Sequence, residues 1–366
     1  MRILIINSVY GFGSTGRICR DIALSAQKNG DECMIGCRES HENTDDSPKI
    51  VVIGSRTNIL LHGLKSRLMD NHGLNSKLAT RKFLAQAEAF NPDLLWLHNI
   101  HGYYINYELL FEWIKSRPSM IVKWTLHDCW AFTGHCAYFE MVGCDKWQSM
   151  CEKCPQIHEY PKSILFDNSS VNYQRKKNAF SGIQNLTLIC PSMWLANLVK
   201  FSFLSQYPVS VCYNNIDEKI FKPTASDYMN CNNMSDKKMV LGVSNVWSYR
   251  KGLDRYIELA SMLPENYIMI LVGKMTKKQR SLLPTNIVAY GQTSNPEELA
   301  SLYTEADCFV CLTREDNYPT VNLESEACGT RVITLDVGGC RETIKRSDSK
   351  VVSSLEDVYD ELMRRS

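Results

Sequence analysis

Between Thr313 and Gly329 the chain reads TREDNYPTVNLESEACG. Two carboxylates, Asp316 and Glu324, flank a proline, Pro319, that suits the start of a helix. An acidic loop feeding a helix N-terminus fits a ligand with both phosphates and hydroxyls. Helix-terminal N–H groups attract phosphate, and carboxylates accept hydrogen bonds from sugar hydroxyls. Arg250-Lys251-Gly252 precedes another helical run. Arg, through its planar fork, and Lys, as a point charge, can together neutralise a diphosphate; a surface charge pair is the plainer alternative.

His127-Asp128 ends the apolar run 121–127, at the carboxyl end of an expected strand. A neutral imidazole there can hydrogen-bond a sugar hydroxyl without any metal. His98-Asn99 and His101-Gly102 follow the run 94–97 and would line the same mouth. Gly11-Phe-Gly13-Ser-Thr-Gly16 follows the first apolar run and opens a helix. Its glycines allow a tight turn and close approach to a phosphate. Three readings stay open: a nicotinamide or flavin site, a phosphate- or acceptor-facing loop, and a structural turn. The acid that a dinucleotide site wants after the next strand is met only imperfectly, by Gly36-Cys37-Arg38-Glu39.

Cys136, Cys144, Cys151 and Cys154 fall within twenty residues, the last two as C-x-x-C. Four thiolates suit a closed structural zinc site; ordinary free thiols and a redox dithiol are the alternatives. The other cysteines of the fifteen lie mostly in apolar context and read as small core residues.

The elements that must hold these residues alternate. Apolar strand runs are expected at 2–7, 33–37, 94–98, 121–127 and 186–190, with helices at 17–29, 80–90 and 107–116. The second half repeats the scheme, with strands at 239–243, 267–272, 287–290, 308–311 and 332–335 and helices at 253–262, 296–304 and 321–328. Short apolar strands alternating with helices imply parallel sheets covered on both faces. The polar stretch 222–238 reads as a linker. Two doubly wound α/β halves with a cleft between them follow, with ligands at the carboxyl ends of the strands.

At 366 residues two domains are expected. Apolar content of 44% and charged content of 22% fit a globular protein, and a net charge of +1 gives no case for nucleic acid. No apolar run has membrane-spanning length. The start, MRILIIN, reads as a buried strand rather than a signal peptide, so a cytoplasmic location is expected. The stretch 60–83 is basic among leucines and suits either peripheral contact with an anionic bilayer or a solvated helix face.

Taken together, these motifs resemble family 4 of the retaining glycosyltransferases, of the type found in bacterial exopolysaccharide, capsule and O-antigen assembly. The resemblance rests on PDLLWLHNIHGYY (92–104), WTLHD (124–128), PSMW (191–194), NNID (214–217) and the Asp316–Glu324 segment. It implies the GT-B arrangement, two Rossmann-like doubly wound domains facing a central cleft. The acceptor-side domain would span residues 1–190, with a cysteine-rich insert at 129–160. The nucleotide-sugar domain would span 191–350, followed by a C-terminal helix at 351–366.

The roles the resemblance implies are these. Asp316 contacts the donor sugar and Glu324 the ribose hydroxyls. Pro319, Thr320 and Val321 present backbone to sugar and phosphate. Lys251, with Arg250 as a substitute partner, holds the diphosphate. His127 contacts the transferred sugar, so His127, Asp316 and Lys251 form the catalytic group. Gly11 and Gly13 belong to the loop over the reaction centre, and His98, Asn99 and His101 lie on the acceptor side. Asp316 stands where Glu is commoner, and Ser244-Asn245 stand where the family's arginine usually lies.

The expected activity is transfer of a sugar, with retention, from a nucleoside diphosphate sugar to a hydroxyl of a lipid-linked or growing saccharide. No catalytic cofactor is required; the cofactor expectation is confined to the structural zinc. The alternatives are an NAD(P)-dependent oxidoreductase and a non-catalytic nucleotide-sugar-binding protein.

Overall fold

A computed structural model describes residues 1–42 and 48–364. Residues 365 and 366, the end of the expected C-terminal helix segment, lie outside the described residues. The chain forms two compact units, Met1–Cys212 and Tyr213–Ser366.

Unit 1 opens with β1 (Arg2–Tyr10), α1 (Gly13–Lys28), β2 (Glu32–Ser40) and β3 (Lys49–Val52). Then come α2 (Arg56–Met69), α3 (Lys77–Phe90), β4 (Leu94–Leu97), α4 (Tyr107–Lys115) and β5 (Ile121–Thr125). A long irregular insert leads to α5 (Ser169–Phe180), β6 (Leu186–Cys190), α6 (Met193–Lys200) and β7 (Val209–Val211). The strands are parallel, in the order β3-β2-β1-β4-β5-β6-β7.

Unit 2 contains α7 (Tyr228–Cys231), β8 (Lys238–Val246), α8 (Leu253–Met262), β9 (Tyr267–Lys274), α9 (Lys277–Arg280) and β10 (Ile287–Gly291). It continues with α10 (Pro296–Glu305), β11 (Cys308–Cys311), α11 (Thr320–Ala327), β12 (Val332–Leu335), β13 (Lys350–Val352) and α12 (Leu355–Met363). Its sheet is also parallel, in the order β10-β9-β8-β11-β12-β13.

Both sheets therefore reverse direction beside their first strand, between β1 and β4 and between β8 and β11. That reversal leaves a crevice at the strand carboxyl ends, the usual ligand position in open α/β sheets. The central strands are buried on both faces, as in β9, where only Lys274 of YIMILVGK is exposed. Their near-continuous apolar runs made them legible.

The units divide after Cys212, whereas the sequence suggested a division after residue 190. The physical reason is that the chain returns to the first sheet through α6, and β7 pairs with β6 from Leu188–Val209 to Cys190–Val211. The expected linker at 222–238 lies within unit 2 and carries α7. Helix α12 buries Val358 and Leu362 in unit 2's own core. Among the described residues, no helix is long and apolar enough to cross a membrane.

Candidate active site

In unit 2 the two loops at the sheet's reversal are locked together. Gly252, the N-cap of α8, has φ +76°, and a Cβ there would lie 2.1 Å from the Leu312 carbonyl oxygen. Only glycine suits such a conformation and such an approach. The Arg250 carbonyl accepts from Arg314 N at 2.8 Å and from Thr313 Oγ1 at 3.0 Å. The turn carrying Arg250 and Lys251 is thus fixed on the loop carrying Asp316, although 65 residues separate them.

The side chains meet accordingly. Lys251 Nζ lies 2.5 Å from Asp316 Oδ2, and Arg250 Nη1 lies 3.8 Å from the same oxygen while donating to the Glu315 carbonyl at 2.6 Å. Burial alone would push the Asp316 carboxyl up. Lys251 and Arg250, with the Asn317 N–H, outweigh it and hold the acid below its ordinary value. Two cations thus converge on one carboxylate at the end of the sheet. Asp316 is held from behind as well: its carbonyl accepts from Gly339 N at 3.0 Å, beside Gly338 at φ +56°.

Glu324 sits one turn into α11. It accepts from Thr320 Oγ1 at 3.2 Å and from Tyr303 Oη at 3.1 Å. Helix α11 starts at Pro319 with no side-chain cap and no acid in its first turn, so its leading amides are not spent on a capping side chain. Thr320 and Val321 lie at that end, as the sequence suggested. Arg314 pairs instead with Asp254, at 2.7 and 2.6 Å, and stacks over Tyr249.

In unit 1 the expected acceptor-side residues gather at the mouth between β1, β4 and β5. The Asn99 amide donates to Asn7 Oδ1 at 3.1 Å. His98 Nδ1 and His127 Nε2 are 3.0 Å apart. Burial drives both imidazoles down, His98 well below its ordinary range and His127 to about 4, in the latter against the pull of Asp128. Both are therefore neutral near pH 7, and one ring donates to the other.

His101 stands between two partners: Nε2 lies 3.1 Å from Asp128 Oδ2, and Nδ1 lies 2.9 Å from Tyr160 Oη. Asp128 also accepts from Trp130 N at 2.9 Å. Burial would raise the Asp128 carboxyl, but His101 and the Trp130 amide bring it below its ordinary value. Sequence reasoning missed Tyr160. It lies in a loop without periodicity, and no spacing rule links it to His101.

Gly11 and Gly13 adopt φ +82° and +65° and carry the chain into α1. A Cβ on Gly11 would lie 2.9 Å from the Glu42 carboxylate. That carboxylate also lies 3.6 Å from Arg20 Nη1.

Of the four insert cysteines, Cys151 lies within electrostatic reach of Cys136, Cys144 and Cys154. Among the described residues, no group of three or more His, Cys, Asp or Glu side chains is placed to hold a metal ion. Instead, Cys151 Sγ accepts from Gly134 N at 3.1 Å. Cys136 and Cys154 hydrogen-bond each other, a contact that pulls the Cys154 thiol down to about 7 and pushes that of Cys136 up. The insert is pinned by other groups. Buried Lys176 donates to the carbonyls of Trp130 at 2.7 Å and Thr133 at 3.0 Å, and His135 pairs with Asp70 at 2.5 Å.

Residues 227–360 match the family described as Glycosyl transferases group 1. Over 272 residues the chain is 26% identical to the Escherichia coli (strain K12) protein WcaC, described as a colanic acid biosynthesis glycosyl transferase. That match covers 72% of this chain and 65% of WcaC. It is 27% identical over 117 residues to the N,N'-diacetylbacillosaminyl-diphospho-undecaprenol alpha-1,3-N-acetylgalactosaminyltransferase of Campylobacter jejuni, covering 31% of each. The fold resembles that of sucrose-phosphate synthase from Thermosynechococcus elongatus, with a TM-score of 0.70, 16% identity and coverage of 99% of this chain and 89% of that one. It also resembles Anabaena HepE in complex with UDP-glucose, with a TM-score of 0.64, 15% identity and coverage of 100% and 89%. The architecture is GT-B: two Rossmann-like domains built on parallel sheets.

Proposed function

We propose that the protein is a retaining glycosyltransferase that takes a sugar from a nucleoside diphosphate donor and delivers it to a hydroxyl of a lipid-linked or growing saccharide. The observation that carries this reading is the Arg250–Lys251–Asp316 cluster at the reversal point of the second sheet. The wording of the family match and of the two bacterial relatives supports it. Because HepE is described with UDP-glucose, a UDP-sugar is the first donor to try.

In this reading Lys251, Arg250 and the first amides of α11 stabilise charge on the departing diphosphate, where fixed donors count most. Asp316 orients both cations and contacts the sugar, and Glu324 accepts from the ribose hydroxyls. The bond from the anomeric carbon to the phosphate oxygen breaks. A bond to the acceptor oxygen forms on the same face, and the acceptor's proton passes to the departing phosphate oxygen. His127 and His98, both neutral, and Asn99 and His101 supply hydrogen bonds to sugar hydroxyls. No step needs a metal, because the fixed cations carry the charge. The work site is the cytoplasm, at the inner membrane face. The oxidoreductase alternative is not favoured, since the family match and both bacterial relatives are described as glycosyltransferases.

The test is a thermal-shift screen with UDP-, GDP-, ADP- and dTDP-sugars on the wild type and on Glu324→Ala. One donor is expected to raise the melting temperature of the wild type and to leave the variant unmoved. A wild type indifferent to all four classes would overturn the reading.

A further inference from the structure

Helix α2 is inside out. Its buried residues are His62 and Ser66, each 1% exposed, while Leu60, Leu61 and Leu64 are 73%, 53% and 55% exposed. A surface helix of a folded domain normally does the reverse. The helix does not rely on those leucines for its place. Ser55 caps its start by accepting from Asn58 N at 3.2 Å, and Asp70 ends it at φ 45°. Inside, His62 is held by Ser76 Oγ at 2.8 Å and by the Gly73 amide at 3.2 Å. Polar contacts fix the helix and leave the apolar stripe unused.

A neighbouring loop repeats the inversion. Ser163 is fully buried, whereas Ile164, Leu165 and Phe166 are 55%, 65% and 51% exposed. The Ile164 amide donates to the Arg67 carbonyl of α2 at 2.7 Å, which joins loop and helix into one apolar surface. At roughly 100° per residue, Leu60, Leu64 and Leu61 share an arc with Arg56 and Arg67 on one edge and Lys65 on the other. From Ser55 to Ala87 the only acid is Asp70, and it is buried.

We propose that this face, α2 with the loop at 163–166, docks unit 1 on an anionic lipid bilayer. Aliphatic side chains and a phenylalanine enter the headgroup boundary, and the flanking Lys and Arg reach the lipid phosphates. Two copies meeting through this face would set cation against cation, so a lipid surface satisfies the charge where self-association does not. The same loop begins near Tyr160, which is bonded to His101. An amphipathic acceptor could thus keep its tail in the bilayer and its saccharide at the histidines. The docking itself uses unit 1 alone and stands whether or not the donor assignment holds.

The experiment is cosedimentation of the full chain with vesicles of equimolar phosphatidylcholine and phosphatidylglycerol, and with phosphatidylcholine alone. Binding to the anionic vesicles, reversed by salt, is expected. Replacing Leu60, Leu61 and Leu64 together by Gln should weaken partitioning by more than about tenfold. Lys65→Glu with Arg67→Glu should weaken it about 30-fold or more. Neither variant should lower the melting temperature, because the altered side chains are exposed. Wild-type protein left in the supernatant, equal binding by the glutamine variant, or equal binding to both vesicle types would overturn the proposal. So would a dimer that the glutamine variant dissolves.

Discussion

The two units have the same strand order up to their sixth strand, and they place opposite chemistry at the same topological position. In unit 1 the first strand-to-helix turn is a glycine loop beside the Glu42 carboxylate. In unit 2 the equivalent turn holds Arg250 and Lys251 against Asp316. All eight histidines belong to unit 1 and none to unit 2. One fold thus offers neutral imidazoles suited to hydroxyls in one copy and permanent charges suited to phosphates in the other. Topology sets where a ligand can sit, and a few loop residues set which ligand it is.

The comparison breaks most readily at Lys251. Lys251→Met removes the nearer of the two cations and leaves Asp316 with only the more distant Arg250. Turnover should fall by about 10²–10³-fold, the scale for losing one stabiliser of developing charge. Steady-state kinetics with the donor found in the thermal-shift screen measures it. Hydrogen exchange in unit 1 should stay unchanged. A fall of less than tenfold would mean that the diphosphate is held elsewhere.

Acid should separate the units next. His62 and His127 are held down to about 4, mainly by burial, against an ordinary value of 6.5. Below pH 6.5 the unfolded chain takes up protons that folded unit 1 refuses until about pH 4. The unfolded state then binds more protons, so stability falls as pH drops through that window. The loss should be on the order of 1–2 kcal/mol per imidazole by about pH 5. Unit 2 has no histidine to titrate there. Amide exchange read by mass spectrometry, corrected for intrinsic rates, should show unit 1 loosening and unit 2 holding between pH 7 and 5. Equal loosening of both units would sink the distinction.

How much of this was legible in the sequence follows from where the apolar residues point. Central strands such as 186–190, 308–311 and 332–335 coincide with the observed elements because both of their faces are buried. The edge strands β3, β7 and β13 were missed; each has only three or four residues, few of them buried. Helix α5 was missed because its buried face mixes Ser169, Asn172 and Lys176 with Tyr173 and Phe180 and so shows no continuous apolar stripe. Helix α2 was read only as a basic leucine-rich stretch, because its leucines face outward. The site residues were legible singly, as polar residues after apolar strands. The meeting of Lys251 with Asp316 was not, because it depends on Gly252 fitting under the Leu312 carbonyl.

The smallest effect concerns the polarity of the Tyr160–His101–Asp128 chain, and it tests whether unit 1 is built to receive hydroxyls. The carboxylate of Asp128 can only accept, so His101 must carry its proton on Nε2. Nδ1 is then a lone pair, and Tyr160 donates to it at 2.9 Å. With its proton committed, the phenolic oxygen keeps only acceptor capacity, which suits a hydroxyl donor. In the wild type, ¹⁵N shifts of the His101 ring should report the Nε2–H tautomer. Tyr160→Phe should keep that tautomer, because Asp128 still fixes it, and should cost about 1 kcal/mol of stability. Asp128→Asn should mix the tautomers, since an amide can donate or accept. An Nδ1–H ring in the wild type would reverse the chain, make Tyr160 Oη the receiver of the His101 proton, and remove the argument that this mouth is set to accept from a sugar.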